Sequence, residues 1–495
     1  MSSVSAAPAM SARAWALLLV LCGTIFLEGI DVAMLAVAVP SIRSDLDLST
    51  GTAAWVMSAY VLGYAGFTLL GGRAADLLGR RRMFLGWLTV FLLFSGLGGL
   101  ANEGWMLIVA RFITGVSAAF MTPAAMSIIT TSYEEGPQRN KALLVFAGTA
   151  AAGFSLGLVI GGLLTQLGWR WVFFAPVLLA GAILFAAVRL LPRSAAEQPP
   201  VRGSGGFDLP GAATAAGAML LLAYGIVRLE HGGSGWELTA GAFAAGLLLV
   251  GLFTLIERRS AAPLVRLAIF RKASMVRADL GALLFVGSFF GFQFVVTLYL
   301  QELRGWSSLE TALALVIIGI DAVVAPTLTP RLVNRFGNAR VILGGFLLGI
   351  VSYGLFLPVG MDWSYAAMFP TLILTGTAFA LAYGPLTIAA TDGVAPAEQG
   401  LAGGLLHTAT QFGSAVGISA VTAVYGIAVA GTDGSPAATL DAFRTALMVP
   451  VAMVALGALI TATGLRGPGG KSGSSTVATA VPHETAHRPA EPAPR

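Results

Sequence analysis

Runs of about 20 apolar residues, repeated between residues 14 and 465, constrain this chain more than any other feature. Twenty residues of α-helix rise about 30 Å, the thickness of a bilayer's hydrocarbon core. Fourteen such spans lie near residues 14–39, 52–72, 83–101, 105–130, 142–165, 171–191, 210–229, 238–257, 275–301, 309–331, 341–359, 364–388, 399–429 and 444–465. Backbone in lipid must satisfy its own hydrogen bonds, so only helices or closed barrels cross a membrane. Barrel strands alternate apolar and polar residues, and these runs do not. The mean hydropathy of +0.83 fits this reading, because a soluble protein of this length needs a more charged surface. The expected fold class is an all-α integral membrane protein.

Several other classes drop out. Cys22 is the single cysteine, which excludes an internal disulfide and a thiolate metal cluster. The four histidines are His231, His407, His483 and His487, and three fall in a loop or the tail, so no metal site is expected. No G-x-x-x-x-G-K-[ST] loop is present to bind ATP, and no enzyme motif stands out. The N-terminus is similar to a signal peptide, but its apolar run continues through Glu28 and Asp31 to Pro40, as an uncleaved first helix would.

Charge placement sets the orientation. With the N-terminus in the cytoplasm, 23 of the 29 Lys and Arg fall on the cytoplasmic side, which the positive-inside rule favours. They include Arg73 and Arg80 to Arg82, Arg139 and Lys141, and Arg331, Arg335 and Arg340. An even number of spans returns the C-terminus to the cytoplasm. The net charge of +5 is spread over these joints and does not form a nucleic-acid-binding face.

The chain repeats itself. "GRAADLLGRRR" (72–82) matches "PRLVNRFGNAR" (330–340), aligning Gly79 with Gly337 and Arg82 with Arg340. "FMTPAAMSIITTS" (120–132) matches "AYGPLTIAATDG" (382–393), aligning Pro123 with Pro385 at nearly the same offset. Two six-helix halves follow, with two extra helices inserted between them. The expected segments are a cytoplasmic N-terminus (1–13), a first half (14–191), a linker with two extra helices (192–274), a second half (275–465) and a disordered cytoplasmic tail (466–495). Paired halves are a transporter architecture with the substrate site between them near mid-membrane.

Motifs along the chain resemble one family. "GGRAADLLGRRR" (71–82) resembles the G-x-x-x-D-x-x-G-R-[RK]-x signature of the major facilitator superfamily. "IDVAMLAVAVP" (30–40) resembles the D-x-T-x-x-N-x-A-L-P segment of its fourteen-helix drug:proton antiporter branch, with Ala33 and Ala36 in place of Thr and Asn. "WVMSAYVLGYA" (55–65), "RFITGVSAAF" (111–120), "GWRWVFFAP" (168–176) and "GLLHTATQFGSAVG" (404–417) fit the same branch. "GFSLGLVIGG" (153–162) resembles its helix 5 signature G-x-x-x-G-P-x-x-G-G, but Leu158 replaces the proline and removes any bend that depends on it. The resemblance implies a latch between the halves at Gly72, Asp76, Gly79, Arg80 and Arg81; the alternative for the arginines is topology alone. It gives Gly153, Gly157, Gly161 and Gly162 the antiporter-helix role of sealing a leak path. Ordinary close helix packing is the alternative for each of them.

Charge inside a bilayer costs roughly 2.5–3.5 kcal/mol per residue on insertion scales, so embedded ionisable groups mark function. Glu28 and Asp31 are three apart in the first span and share a helix face. Asp31 is the leading candidate for proton coupling, with Glu28 close behind. Arg111 either pairs with Asp31 or stands as a fixed charge opening a polar path. Asp321, Gln293 and His407 are the candidate substrate-cavity residues, with a core-packing role the alternative for Asp321 and His407. The expected function is proton-coupled export of hydrophobic, cationic or amphipathic compounds, drugs or antibiotics among them. A carrier dedicated to one metabolite, antibiotic or siderophore is the second reading. The protein would be a multi-pass cell-membrane monomer with no cofactor, driven by the proton gradient. Its partners would be a small-molecule substrate, protons and the lipid bilayer, with no nucleic acid.

Overall fold

A computed structural model describes residues 10–48, 50–191, 208–229, 235–260, 263–430, 432 and 435–466. Among them every regular element is helical. The first six long helices are α1 (Ala12–Asp45), α2 (Thr50–Leu78), α3 (Arg80–Gly99), α4 (Gly104–Ser132), α5 (Pro137–Leu167) and α6 (Trp171–Leu190). The inserted pair follows, α7 (Leu209–Leu229) and α8 (Trp236–Arg259). Then come α9 (Ala273–Leu298), α10 (Ser308–Leu315), α11 (Asp321–Thr327), α12 (Thr329–Phe336), α13 (Asn338–Phe356), α14 (Tyr365–Thr391), α15 (Gln399–Val429) and α16 (Pro436–Thr463). Among the described residues 13 stretches are long and apolar enough to cross a membrane, and α2, a helix of 29 residues, packs among them against α4 and α15.

Local chemistry starts the helices. The Ser11 hydroxyl accepts the Ala14 N–H at 3.2 Å at the head of α1, and Ser435 does the same for Ala438 in α16. Ser307 and Glu310 form a capping box at α10, each side chain accepting a backbone N–H from the other's end of the turn. Gly79 (φ 98°) turns α2 into α3, and Gly337 (φ 84°) turns α12 into α13. An L side chain rarely adopts those angles, so the glycines aligned by the sequence repeat make the same turn twice.

The packing repeats as well. α1 lies against α5 as α9 lies against α15; α3 against α4 as α13 against α14; α3 against α6 as α13 against α16. The fold is therefore two related six-helix halves with α7 and α8 between them. α7 packs on α8, α2 and α15, so the inserted pair sits on the flank of the bundle.

The tenth span, expected near 309–331, is one membrane-length stretch from Leu309 to Thr327, with a local change of helix type inside it. A 3-10 turn at Val316–Ile320 separates α10 from α11, and α12 restarts at Thr329 and runs on to Phe336. Pro326 has no N–H to continue the helical ladder, and Gly376 of α14 presses on the carbonyl of Ile318. The first span does not stop before Pro40; α1 carries that proline inside it to Asp45. The expected tail and most of the 192–209 joint lie outside the described residues.

Candidate transport site and inter-half latch

Two polar clusters stand out from the apolar bundle. The first lies within the first half, where α1, α2 and α4 meet. Asp31 and Arg111 form an ion pair, Oδ2 to Nη1 at 2.5 Å, with side chains only 2% and 3% exposed. The guanidinium also sits 4.4 Å from the ring centroid of Tyr60. One turn along α1, Glu28 Oε2 accepts the Tyr64 hydroxyl at 2.9 Å. Tyr60 and Tyr64 are four residues apart and meet edge to face at 5.9 Å. Buried, and without a hydrogen-bond partner among the described residues, are Glu28 Oε1, the Tyr60 hydroxyl and Arg111 Nε. Tyr383, from α14 of the second half, lies within electrostatic reach of Glu28.

Charge counting shows what this cluster can do. Asp31 and Arg111 cancel, which leaves the site at −1 when Glu28 is ionised. One proton or one monovalent cation restores neutrality; both together overshoot to +1. A low-dielectric interior penalises either imbalance.

The candidate substrate-cavity residues are not joined to one another. Asp321 begins α11 directly after the 3-10 turn, is fully buried, and has no partner for either carboxylate oxygen among the described residues. Its backbone lies near Gly148 of α5. His407, on α15, is buried with Nε2 unpartnered, and Gln293 is buried on α9. No hydrogen bond connects these three residues.

The second cluster is at the Arg-rich end. Asp76, whose side chain is 1% exposed, reaches from α2 to the start of α15 in the other half. Its Oδ1 accepts the Gly400 N–H at 3.1 Å and its Oδ2 the Leu401 N–H at 3.0 Å. The first N–H groups of a helix have no partner within it, and the helix dipole favours an anion there. Asp76 thus caps a helix of the opposite half. Arg80 bonds Asp76 Oδ1 at 3.1 Å and also donates to the Pro396 carbonyl. Gly72 lies against Gly400 and Gly404 with no room for a side chain. Arg81 stays within its own half, donating to the Val188 carbonyl at 3.3 Å. Arg139 adds a third tie, from the start of α5 to the Thr391 carbonyl of α14 at 3.0 Å.

Asp76→Asn keeps the side-chain shape but removes the charge from the cap. A carboxylate charge at a helix N-terminus is worth about 0.3–1 kcal/mol, so transport should slow about two- to five-fold at unchanged expression. Wild-type turnover in that variant would leave the loop a topological role only.

The helix 5 glycines face α1. A Cβ on Gly153, Gly157 or Gly161 would meet backbone of Phe26, Ile30 or Met34 at 2.6–2.8 Å. Gly162 points elsewhere, toward Leu309 of α10. The second half uses the same device, with Gly413 and Gly417 of α15 against backbone of Leu283 and Gly287 on α9. Close packing explains both stripes.

Sequence reasoning missed Tyr60, Tyr64, Tyr383 and Arg139. A signal existed for the first two, polar hydroxyls at helical spacing in an apolar run. The partners at 391 and 400–401 are backbone groups, which carry no side-chain signature.

Two repeated six-helix bundles, with charges buried in the first and hydrogen bonds from Asp76, Arg80 and Arg139 reaching the second, are the architecture of a membrane carrier. Residues 21–418 match the model of the Major Facilitator Superfamily. The chain is 34% identical over 452 residues to the cephamycin export protein of Amycolatopsis lactamdurans, covering 89% of this chain and 91% of that protein. It is 34% identical to the puromycin resistance protein of Streptomyces alboniger, covering 93% of each. It is 32% identical to the lincomycin resistance protein of Streptomyces lincolnensis, covering 84% of this chain and 85% of that one. The crystal structure of the human organic anion transporter TETRAN shares the fold, with a TM-score of 0.65 at 16% identity over 91% of this chain and all of that one. The chain belongs to the Major Facilitator Superfamily.

Proposed function

We propose that this protein is a proton-coupled antiporter that exports hydrophobic, cationic or amphipathic compounds, antibiotics among them, across the cell membrane. The observation that carries this reading is the buried cluster of Glu28, Asp31, Arg111 and Tyr64. It is a place where a proton and a cation exclude one another. Full-length similarity to antibiotic export and resistance proteins supports it, as does similarity to a multidrug efflux pump of Mycolicibacterium smegmatis.

Of the two carboxylates, Glu28 is the exchangeable one. Asp31 is compensated by a guanidinium, whereas Glu28 has one neutral donor and one free oxygen. Asp31 then holds Arg111 in place, and Arg111 orders the site electrostatically. Asp321 is a second buried carboxylate, in the other half and apart from the Glu28 cluster, and Gln293 and His407 lie on other helices of that half. The Arg-rich end lies in the cytoplasm, with both termini, and its latch marks the arrangement closed to that side. Uptake of one proton from outside at Glu28 releases the cargo, and the halves then rock to the opposite access. The energy comes from the proton gradient, about 1.4 kcal/mol per pH unit for each proton, with no cofactor. The carrier works as a monomer and transports its substrate without chemical change.

A dedicated carrier for a single antibiotic is the second reading, favoured by relatives that are each named for one compound. Inverted vesicles loaded with the purified protein test both. Acid-driven accumulation of several lipophilic-cation dyes, abolished by an uncoupler, is the expected result. Uptake that ignores the uncoupler would refute proton coupling, and uptake of one compound alone would establish the dedicated carrier. Reporter fusions after Arg82 and Arg340 should behave as cytoplasmic; periplasmic activity at either would reverse the orientation.

A further inference from the structure

A groove of about 310 Å³ opens on the outer wall of the second half, away from both clusters. It is lined by Leu332, Phe336, Arg340, Val341, Gly344 and Leu381, from α12, α13 and α14. Its floor is apolar and its rim is basic. Gly344 leaves the floor empty, since a Cβ there would meet nothing within 4 Å, while the adjacent Gly345 is pressed against backbone of Ala382. α13 and α14 therefore touch at one glycine and part at the next.

Arg340 lines the groove, and Arg331 and Arg335 lie on the adjoining α12; all three are exposed, and none has a carboxylate partner among the described residues. Arg335 lies over the Phe336 ring at 5.2 Å, and Arg340 makes one long bond to the Phe336 carbonyl at 3.4 Å. No Asp or Glu occurs from residue 322 to residue 361, so nothing local neutralises the three. The matching loop of the first half differs: Arg80 is engaged by Asp76 and Arg81 by a helix-end carbonyl. Gly344 lies four residues along α13 from Arg340, about 6 Å deeper toward mid-membrane. Cationic groups at the interface with an apolar slot one turn below match a phospholipid, headgroup outside and acyl chain within.

We propose that this groove is a binding site for an anionic phospholipid of the inner leaflet, with the phosphate on Arg340 and its neighbours and an acyl chain along Phe336, Val341 and Gly344. The proposal goes beyond the transport reading. It needs only the Arg-rich end to be cytoplasmic, and not any particular substrate.

Native mass spectrometry of the delipidated, purified full chain tests it, with phosphatidylglycerol, phosphatidylcholine, inorganic phosphate and a lipophilic-cation dye as separate probes. Phosphatidylglycerol should be retained and phosphatidylcholine not. Arg340→Gln should weaken retention about five-fold, the effect of one basic residue near a membrane surface. Gly344→Leu should weaken it at least as much without changing any charge, because its side chain fills the slot. Both variants should elute as the wild type does on size exclusion. Equal retention of the two lipids would overturn the proposal. So would a loss in Arg340→Gln with none in Gly344→Leu, which would mean a basic collar without a site. Displacement of the lipid by inorganic phosphate would reassign the rim to free anions, and displacement by the dye would make the groove a substrate path; either result contradicts the assignment.

Discussion

Glu28→Gln is expected to abolish proton-driven efflux while leaving the protein folded, and to weaken binding of a cationic substrate. Glutamine keeps an acceptor for the Tyr64 hydroxyl, now 2.9 Å from Oε2, so the local packing survives. What disappears is the group that can be charged or neutral. The site then stays neutral at every pH, as in the protonated wild type, so a cation always overshoots to +1 and a proton gradient no longer drives exchange. Asp31→Asn should fail differently. Removing one partner of a buried ion pair typically costs 3–5 kcal/mol, because the other charge is left uncompensated. Arg111 is such a charge, with a side chain 3% exposed, so folding yield should fall along with transport. The double variant Asp31→Asn, Arg111→Gln should recover yield and, because Glu28 still leaves the site at −1, part of the coupling. Thermal stability of the three proteins in detergent, beside pH-gradient-driven uptake in vesicles, separates the two roles. Normal pumping by Glu28→Gln would move the exchangeable proton back to Asp31.

The second large effect is expected at Gly72→Val. Gly72 meets the Gly400 carbonyl and the Gly404 Cα of the opposite half, backbone on both sides. Backbone cannot swing aside as a side chain can. Overpacking of this kind costs about 1–3 kcal/mol, so the latched arrangement should lose about ten-fold or more in population. Neither half needs to distort when the halves part, so the protein should fold. Ser127→Cys, beside Asp76, reports the change in a background where Cys22 is replaced. A membrane-impermeant maleimide added from the cytoplasmic side should label it much faster in Gly72→Val than with Gly72 retained. Equal labelling would mean that the contact at Gly72 does not hold the halves together.

Much of the architecture was legible because lipid leaves few choices. Apolar runs of bilayer length predict helices, the arginines predict orientation, and the aligned Gly79 and Gly337 predict the repeat. The 3-10 turn inside the tenth span was not legible. Val316–Ile320 is as apolar as its flanks, and what distinguishes it is the close approach of Gly376 on α14 to the Ile318 carbonyl. The charged candidates were visible as costly residues in greasy surroundings, but their partners were not. Asp31 and Arg111 are 80 residues apart, and Asp76 lies 324 residues from the Gly400 N–H that it accepts. Helical spacing placed Glu28 and Asp31 on one face; only the fold shows that one is compensated and the other is not. Distance in sequence hides pairing, and backbone partners hide it completely.

Proton release on substrate binding, measured with purified protein in weakly buffered detergent solution, tests the central claim most directly. The account predicts that a monovalent lipophilic cation releases close to one proton per carrier from the wild type and from Asp76→Asn, and none from Glu28→Gln. A cation that binds the wild type without releasing a proton, or releases it equally from Glu28→Gln, would contradict the competition at Glu28 on which the account rests.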